Sequence, residues 1–107
     1  MGHTGEFELL TLLAVARLND GAYGVTIRET LERRTSRSVT LGTVYKTLGR
    51  LESKGLVQVR TAPPTADRGG RRKKMYTLTS EGRAAVQTAL SNLKDMAQGL
   101  ELEFDAP

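Results

Sequence analysis

Residues 40–78, TLGTVYKTLGRLESKGLVQVRTAPPTADRGGRRKKMYTL, decide the fold of this 107-residue chain. The first part predicts an amphipathic helix, because apolar residues recur at offsets of three and four: Leu41, Val44, Leu48 and Leu51. Thr40 is placed to cap this helix and Gly55 to end it. Gly42 and Gly49 have no side chains, so the helix backbone is uncovered along one edge and another surface could approach it closely.

The second part of the stretch predicts a two-stranded β-wing. Apolar and polar residues alternate over residues 56–61 and again over residues 75–79, which is the period-two pattern of a strand. Prolines and paired glycines between the two segments oppose regular structure. Five of the seven residues 68–74 are cationic, so the wing tip concentrates the positive charge of the chain.

Helical patterns surround this stretch. Residues 6–18 are apolar on nearly every side, as expected of a buried helix, and residues 22–33 predict a second, amphipathic helix. Thr79 or Ser80 is placed to cap a last helix that continues to near Phe104. A helix of about 25 residues would be roughly 37 Å long and would extend beyond so small a core.

The last helix carries apolar residues at alternating spacings of four and three, the pattern of a coiled-coil seam. These residues are Val86, Leu90, Leu93, Ala97, Leu100 and Phe104. The pattern predicts that this helix pairs with its copy in a symmetric homodimer. The alternative is packing of Val86, Leu90 and Leu93 on the first helix of the same chain, and both can hold at once.

The composition bounds the class of function. The net charge is +4 and the pI is near 9.8, with the cations clustered at the wing, so an anionic partner is expected. The chain has no cysteine and a single histidine, His3, so we predict no metal site, no cofactor and no enzyme activity. The apolar segments are too short to span a bilayer, and we expect a cytoplasmic protein without a membrane partner.

The order of elements is that of a winged helix-turn-helix: mainly α with a small β-wing. We predict a DNA-binding domain over residues 6–79 and a C-terminal dimerisation helix over residues 80–104. Three segments also resemble the PadR-like family of transcriptional regulators, namely LLTLLAVARLNDGAYGVTI, TLGTVYKTLGRLESKGLV and KKMYTLTSEG.

This resemblance implies a dimeric repressor that holds double-stranded DNA with its third helix and its wing. It implies dimerisation through the C-terminal helices, between which some family members bind small effectors. Many relatives have several C-terminal helices, whereas this chain is similar to the short members with one. The resemblance further implies that short members which bind flat aromatic drugs use a tryptophan in the C-terminal helix. This chain has no tryptophan, so we do not expect it to bind such a drug. The sequence does not identify any other effector.

The third helix and the wing supply the candidate DNA contacts. Laid into the major groove, the helix would direct Thr43, Lys46 and Arg50 toward base edges or phosphates. Tyr45 could turn its hydroxyl to a phosphate, as the resemblance also implies, or it could simply pack against the second helix or the wing. The wing cations that could reach phosphates or a minor groove are Arg68, Arg71, Arg72, Lys73 and Lys74. Lys74 could instead face solvent, and a charged loop is often only solubilising.

Two other functions fit the same residues. The wing could bind an acidic protein, which would make the chain a protein interaction module, or it could bind nucleic acid nonspecifically. Sequence-specific binding predicts a steep salt dependence together with a strong preference for one palindrome over random DNA. A protein interaction module predicts neither property.

Overall fold

The computed structural model describes residues 4–61 and 73–100. Over these ranges the elements are α1 (Glu6–Leu18), a 3-10 turn (Asn19–Gly21), α2 (Gly24–Thr35), α3 (Leu41–Ser53), β1 (Val57–Thr61), β2 (Lys74–Leu78) and α4 (Ser80–Ala97). The predicted fold class, mainly α with a small β-wing, is confirmed.

The core is built around α1, which contacts α2, α3, α4 and β2. The largest fully buried side chains include Leu12 on α1, Ile27 and Leu31 on α2, and Leu48 and Leu51 on α3. Burial of each such side chain stabilises the fold by about 1.5–3 kcal/mol. The apolar face predicted for α3 is therefore the face that joins it to the domain.

Two polar residues of α1 are also buried, and each has a partner. The Lys54 ammonium lies 2.7 Å from the Glu8 carboxylate, which ties the C-terminal end of α3 to α1. The Thr11 hydroxyl donates a hydrogen bond of 2.8 Å to the carbonyl of Phe7. These contacts offset the cost of removing polar groups from water.

The second helix begins two residues later than the sequence pattern predicts. Ala22 and Tyr23 are not helical, because their backbone joins the wing: the Tyr76 amide donates to the Ala22 carbonyl at 2.9 Å, and Tyr23 forms an antiparallel bridge with Met75. The Thr26 hydroxyl then accepts a hydrogen bond of 2.9 Å from the Tyr23 amide, which caps α2. The start of α2 is therefore fastened to β2.

The wing is an antiparallel hairpin of β1 and β2. Val57 lies opposite Leu78 and Val59 opposite Tyr76, so these four side chains share the face that packs on the core. The strands, Val57–Thr61 and Lys74–Leu78, differ from the predicted bounds by one residue. A shift of this size is ordinary at the ends of strands, where pairing to the partner strand decides the last residue.

The last helix begins at Ser80 as predicted, with the Thr79 hydroxyl accepting a hydrogen bond of 2.9 Å from the Gly82 amide. It ends at Ala97, so the predicted continuation of the helix through residues 98–100 is wrong. Gly99 has a φ of 86°, a left-handed conformation that stops a helix. The 18 residues of α4 span only about 27 Å. Leu100 lies past the helix end, and Phe104 lies outside the described residues.

Candidate nucleic-acid interface

The third helix presents its polar face to solvent. Thr43, Lys46 and Arg50 are exposed at offsets of three and four, opposite the buried Val44 and Leu48. Gly42 and Gly49 are exposed too, and a methyl group added at either would meet nothing within 4 Å. The structure thus brings the three predicted helix residues onto one open face.

The N-terminus of α3 is held in place by its cap. The Thr40 hydroxyl accepts a hydrogen bond of 3.1 Å from the Thr43 amide and donates one of 2.9 Å to the Thr43 hydroxyl. The Thr43 hydroxyl accepts in this pair, so its own proton is available to an external acceptor. A base edge or a phosphate oxygen could be that acceptor.

Tyr45 has a different environment from its neighbours on α3. Its ring packs against Gly24, the first residue of α2, yet the side chain keeps 43% of its surface exposed. Of the two interpretations of Tyr45, packing against the second helix is therefore observed. The exposed fraction leaves a DNA contact open to the same side chain.

Tyr76 of the wing lies close to this tyrosine. Burial raises the pKa of Tyr76 above its ordinary value of 10.0, and the charges that Tyr45 and Glu52 carry when ionised raise this pKa further. Tyr76 is therefore neutral at physiological pH. It anchors the wing in the core and contributes no charge to the interface.

The wing contributes lysines at the start of its second strand. The Lys73 ammonium lies 5.2 Å from the centre of the Tyr23 ring, a cation–π distance, and Lys74 is exposed opposite Thr61. Tyr23 is only half-buried, and it supports both the wing strand and this lysine. The other three predicted wing contacts lie outside the described residues: Arg68, Arg71 and Arg72.

Arg37 was not singled out by the sequence, although it lies beside the α3 face. It pairs with Glu6 at 2.7 Å and lies 5.8 Å from the centre of the Phe7 ring. It lines an open groove of about 460 Å³ together with Phe7, Ser38, Val39, Thr40 and Thr43. Its position in the polar linker, just before the Thr40 cap of α3, is the sequence feature that could have identified it as a candidate. An exposed ion pair of this kind contributes little stability.

The proposed dimer residues fall into two groups. Val86 is buried in the core of its own chain, as the alternative interpretation predicts. Leu90 and Leu93 are 44% and 60% exposed, and Ala97 is half-buried. Met96, which the heptad spacing did not include, is 77% exposed. The far half of α4 therefore carries apolar side chains that the described residues leave exposed.

The described residues offer neither a metal site nor a membrane span. Among residues 4–61 and 73–100, no group of three or more acidic or histidine side chains is arranged to hold a metal ion. No helix in the same ranges is long and apolar enough to cross a bilayer.

Comparison with known proteins places these features in a family. The model of the transcriptional regulator PadR-like family matches residues 12–88. The crystal structure of a PadR family transcription regulator from hypervirulent Clostridium difficile is 29% identical, with a TM-score of 0.68 over 83% of this chain and 91% of that one. RosR from H. salinarum is 27% identical, with a TM-score of 0.70 over 89% of this chain and 78% of that one.

A PadR-like transcription factor from Bacteroides fragilis, at 23% identity, supports the fold alone, with a TM-score of 0.68 over 84% of each chain. No significant match is found among curated proteins. The family match extends from the middle of α1 into the first half of α4, so it includes the exposed face of α3 and both wing strands. Membership in a family of transcription regulators points to a non-enzymatic role. The resemblance of the sequence motifs is thus confirmed, and this chain belongs to the PadR-like family of transcriptional regulators.

Proposed function

We propose that this protein is a cytoplasmic, sequence-specific transcriptional repressor that binds a palindromic operator as a homodimer. Each protomer inserts α3 into the major groove, and the two grooves are about 34–36 Å apart, one helical turn of DNA. Bound in this way, the dimer represses by blocking access of the polymerase.

One observation carries the proposal: the two faces of α3. Its apolar face is buried in the core, so the helix cannot move independently, and its opposite face presents Thr43, Lys46 and Arg50 to solvent. Lysine and arginine are the usual partners of guanine in the major groove. The low surface at Gly42 and Gly49 would allow the backbone to approach the bases closely.

The wing adds contacts outside that groove. Lys73 and Lys74 are exposed where β2 begins, at the end of the hairpin farthest from the Val57–Leu78 pair. We propose that Arg68, Arg71 and Arg72 extend this charge to phosphates or to the adjacent minor groove. In this proposal residues 6–79 bind DNA and residues 80–104 assemble the dimer.

The far half of α4 supports the homodimer. Leu90, Leu93 and Met96 on α4, together with Leu100 just beyond its end, are exposed apolar residues. Pairing with the same surface of a second copy would bury them symmetrically. An effector bound between the paired helices would change the spacing of the two α3 helices and so release DNA.

The test is selection of duplexes from a random DNA pool with the purified protein. Affinity for the selected sequence is then measured against a scrambled duplex at several salt concentrations. We expect a palindrome that is bound at least about 1000-fold more tightly than scrambled DNA. Weak, salt-dependent binding without preference would leave only a nonspecific nucleic-acid-binding protein. No binding would favour a protein interaction module.

A further inference from the structure

Gly24, the first residue of α2, is in contact with the end of the Tyr45 ring. A Cβ built on Gly24 would lie 2.7 Å from Cε1 of that ring, and it would lie closer still to Cζ and the hydroxyl oxygen. Real Cβ atoms do not approach other atoms this closely. The absence of a side chain at residue 24 is therefore what allows the Tyr45 ring to occupy its position.

The backbone around Gly24 is fixed by hydrogen bonds on both sides. The two residues just before it pair with the wing, through the hydrogen bond from the Tyr76 amide to the Ala22 carbonyl and the bridge between Tyr23 and Met75. On the other side, the Thr26 hydroxyl caps the helix. Tyr45 thus lies where α2, α3 and β2 meet, and its ring rests on backbone that cannot easily move.

The hydroxyl of Tyr45 is left available by this arrangement. Within the described part of the chain it makes no hydrogen bond to another protein group. The residue is 43% exposed, so solvent or an external partner can reach it. Lys46, the next residue of α3, is exposed on the adjacent face.

We propose that Gly24 is a positioning residue for DNA binding: it holds the Tyr45 ring in the one orientation from which its hydroxyl donates a hydrogen bond to a phosphate oxygen. The inference rests on the proposed function, and it adds a residue that does not itself touch DNA. Rotation about the side-chain bonds of a tyrosine moves its hydroxyl by several ångströms. Without the contact between the ring and Gly24, the hydroxyl would sample many positions. A hydrogen bond to a phosphate oxygen requires one particular position and direction of that hydroxyl.

The diagnostic variant is Gly24→Ala. The added methyl group displaces the tip of the ring, and because this tip is the far end of a half-exposed side chain, the protein remains folded with a nearly unchanged melting temperature. Affinity for the selected operator falls by roughly 10- to 100-fold, the usual range for the loss of one hydrogen bond to a charged group. Tyr45→Phe, which removes only the hydroxyl, causes a loss of the same size.

A double-mutant cycle separates positioning from a general structural role. The variant with both Gly24→Ala and Tyr45→Phe binds as Tyr45→Phe does, because the displaced ring no longer has a hydroxyl to lose. The slope of log affinity against log salt is unchanged in all three variants, since none removes a cation. Gly21→Ala is the matched control, because a methyl group there meets nothing within 4 Å, and it binds as the wild type.

Each outcome decides between the two levels of the proposal. If the wild-type protein selects no operator, the proposed function fails, and this inference fails with it. If the wild type binds its operator and Tyr45→Phe binds equally well, the proposed function stands and the inference is overturned. Independent losses that multiply in the double variant would also overturn it, because Gly24 would then act without Tyr45.

Discussion

Replacement of Gly82 by alanine should be the most destabilising glycine substitution in the described part of the chain. Gly82 is buried in the first turn of α4, and a Cβ there would lie 3.1 Å from the carbonyl carbon of Leu56 and closer still to its oxygen. The obstacle is backbone, so no side chain can rotate away. The same Leu56 carbonyl accepts a hydrogen bond of 3.1 Å from the Thr79 amide, so separating the two segments breaks that bond.

The expected magnitude follows from three terms. Overpacking at a tightly packed position costs about 1–3 kcal/mol, and loss of one hydrogen bond costs about 1 kcal/mol. The higher helix propensity of alanine returns about 0.8–1 kcal/mol. The free energy of unfolding should therefore fall by roughly 1–3 kcal/mol, which lowers the melting temperature of a domain of this size by about 4–24 °C.

The assay is thermal and urea unfolding followed by circular dichroism, at one fixed protein concentration because the stability of the proposed dimer would depend on concentration. Gly49→Ala is the matched control: it is exposed within α3, meets nothing within 4 Å, and should raise stability by up to about 1 kcal/mol. If Gly82→Ala unfolds at the wild-type temperature or above it, the close approach of α4 to Leu56 is refuted.

Three further variants test the interface and the dimer. Lys46→Ala should reduce operator affinity by about 1–3 kcal/mol in a binding titration and relax base preference, whereas Lys94→Ala, an equal change of charge on α4, should not. Arg71→Ala combined with Arg72→Ala should weaken binding to operator and scrambled DNA alike. The slope of log affinity against log salt should become shallower by about 0.9 for each phosphate that is no longer neutralised. An unchanged slope argues against binding of phosphates by the wing. Leu93→Glu should give a monomer in light scattering, because the dimer would bury an unpaired charge, and a variant that stays dimeric moves the interface elsewhere.

Local chemistry was sufficient to predict most element boundaries. The hydroxyls of Thr40 and Thr79 each accept a hydrogen bond from the amide three residues later, as the capping pattern predicts. Helix α1 has the predicted bounds, because strong helix formers end there at an Asn-Asp-Gly turn. These signals lie within a few residues of one another, so no knowledge of the rest of the fold was needed.

Two incorrect predictions, the end of the last helix and the start of the second helix, show where local patterns are insufficient. The spacing of apolar residues predicted that the last helix continues past Gly99, but α4 ends at Ala97 and Gly99 has a left-handed φ. A glycine that stops a helix therefore outweighs a spacing pattern of apolar residues. Ala22 and Tyr23 suited a helix by pattern, yet their backbone pairs with β2, which is more than 50 residues away in sequence. Hydrogen bonding to a distant strand overrode the local preference.

The sequence by itself determined the fold class, the family and the polar face of α3, because helical periodicity, capping residues and turn residues act over short distances along the chain. Only the tertiary structure decided that Val86 belongs to the core while Leu93 does not, since both fit the same spacing and differ in what lies opposite them. It alone brought Gly24 against Tyr45, 21 positions later in the chain. A glycine has no side chain from which a sequence pattern could reveal its partner, and the contact exists only once α2 and α3 are packed together.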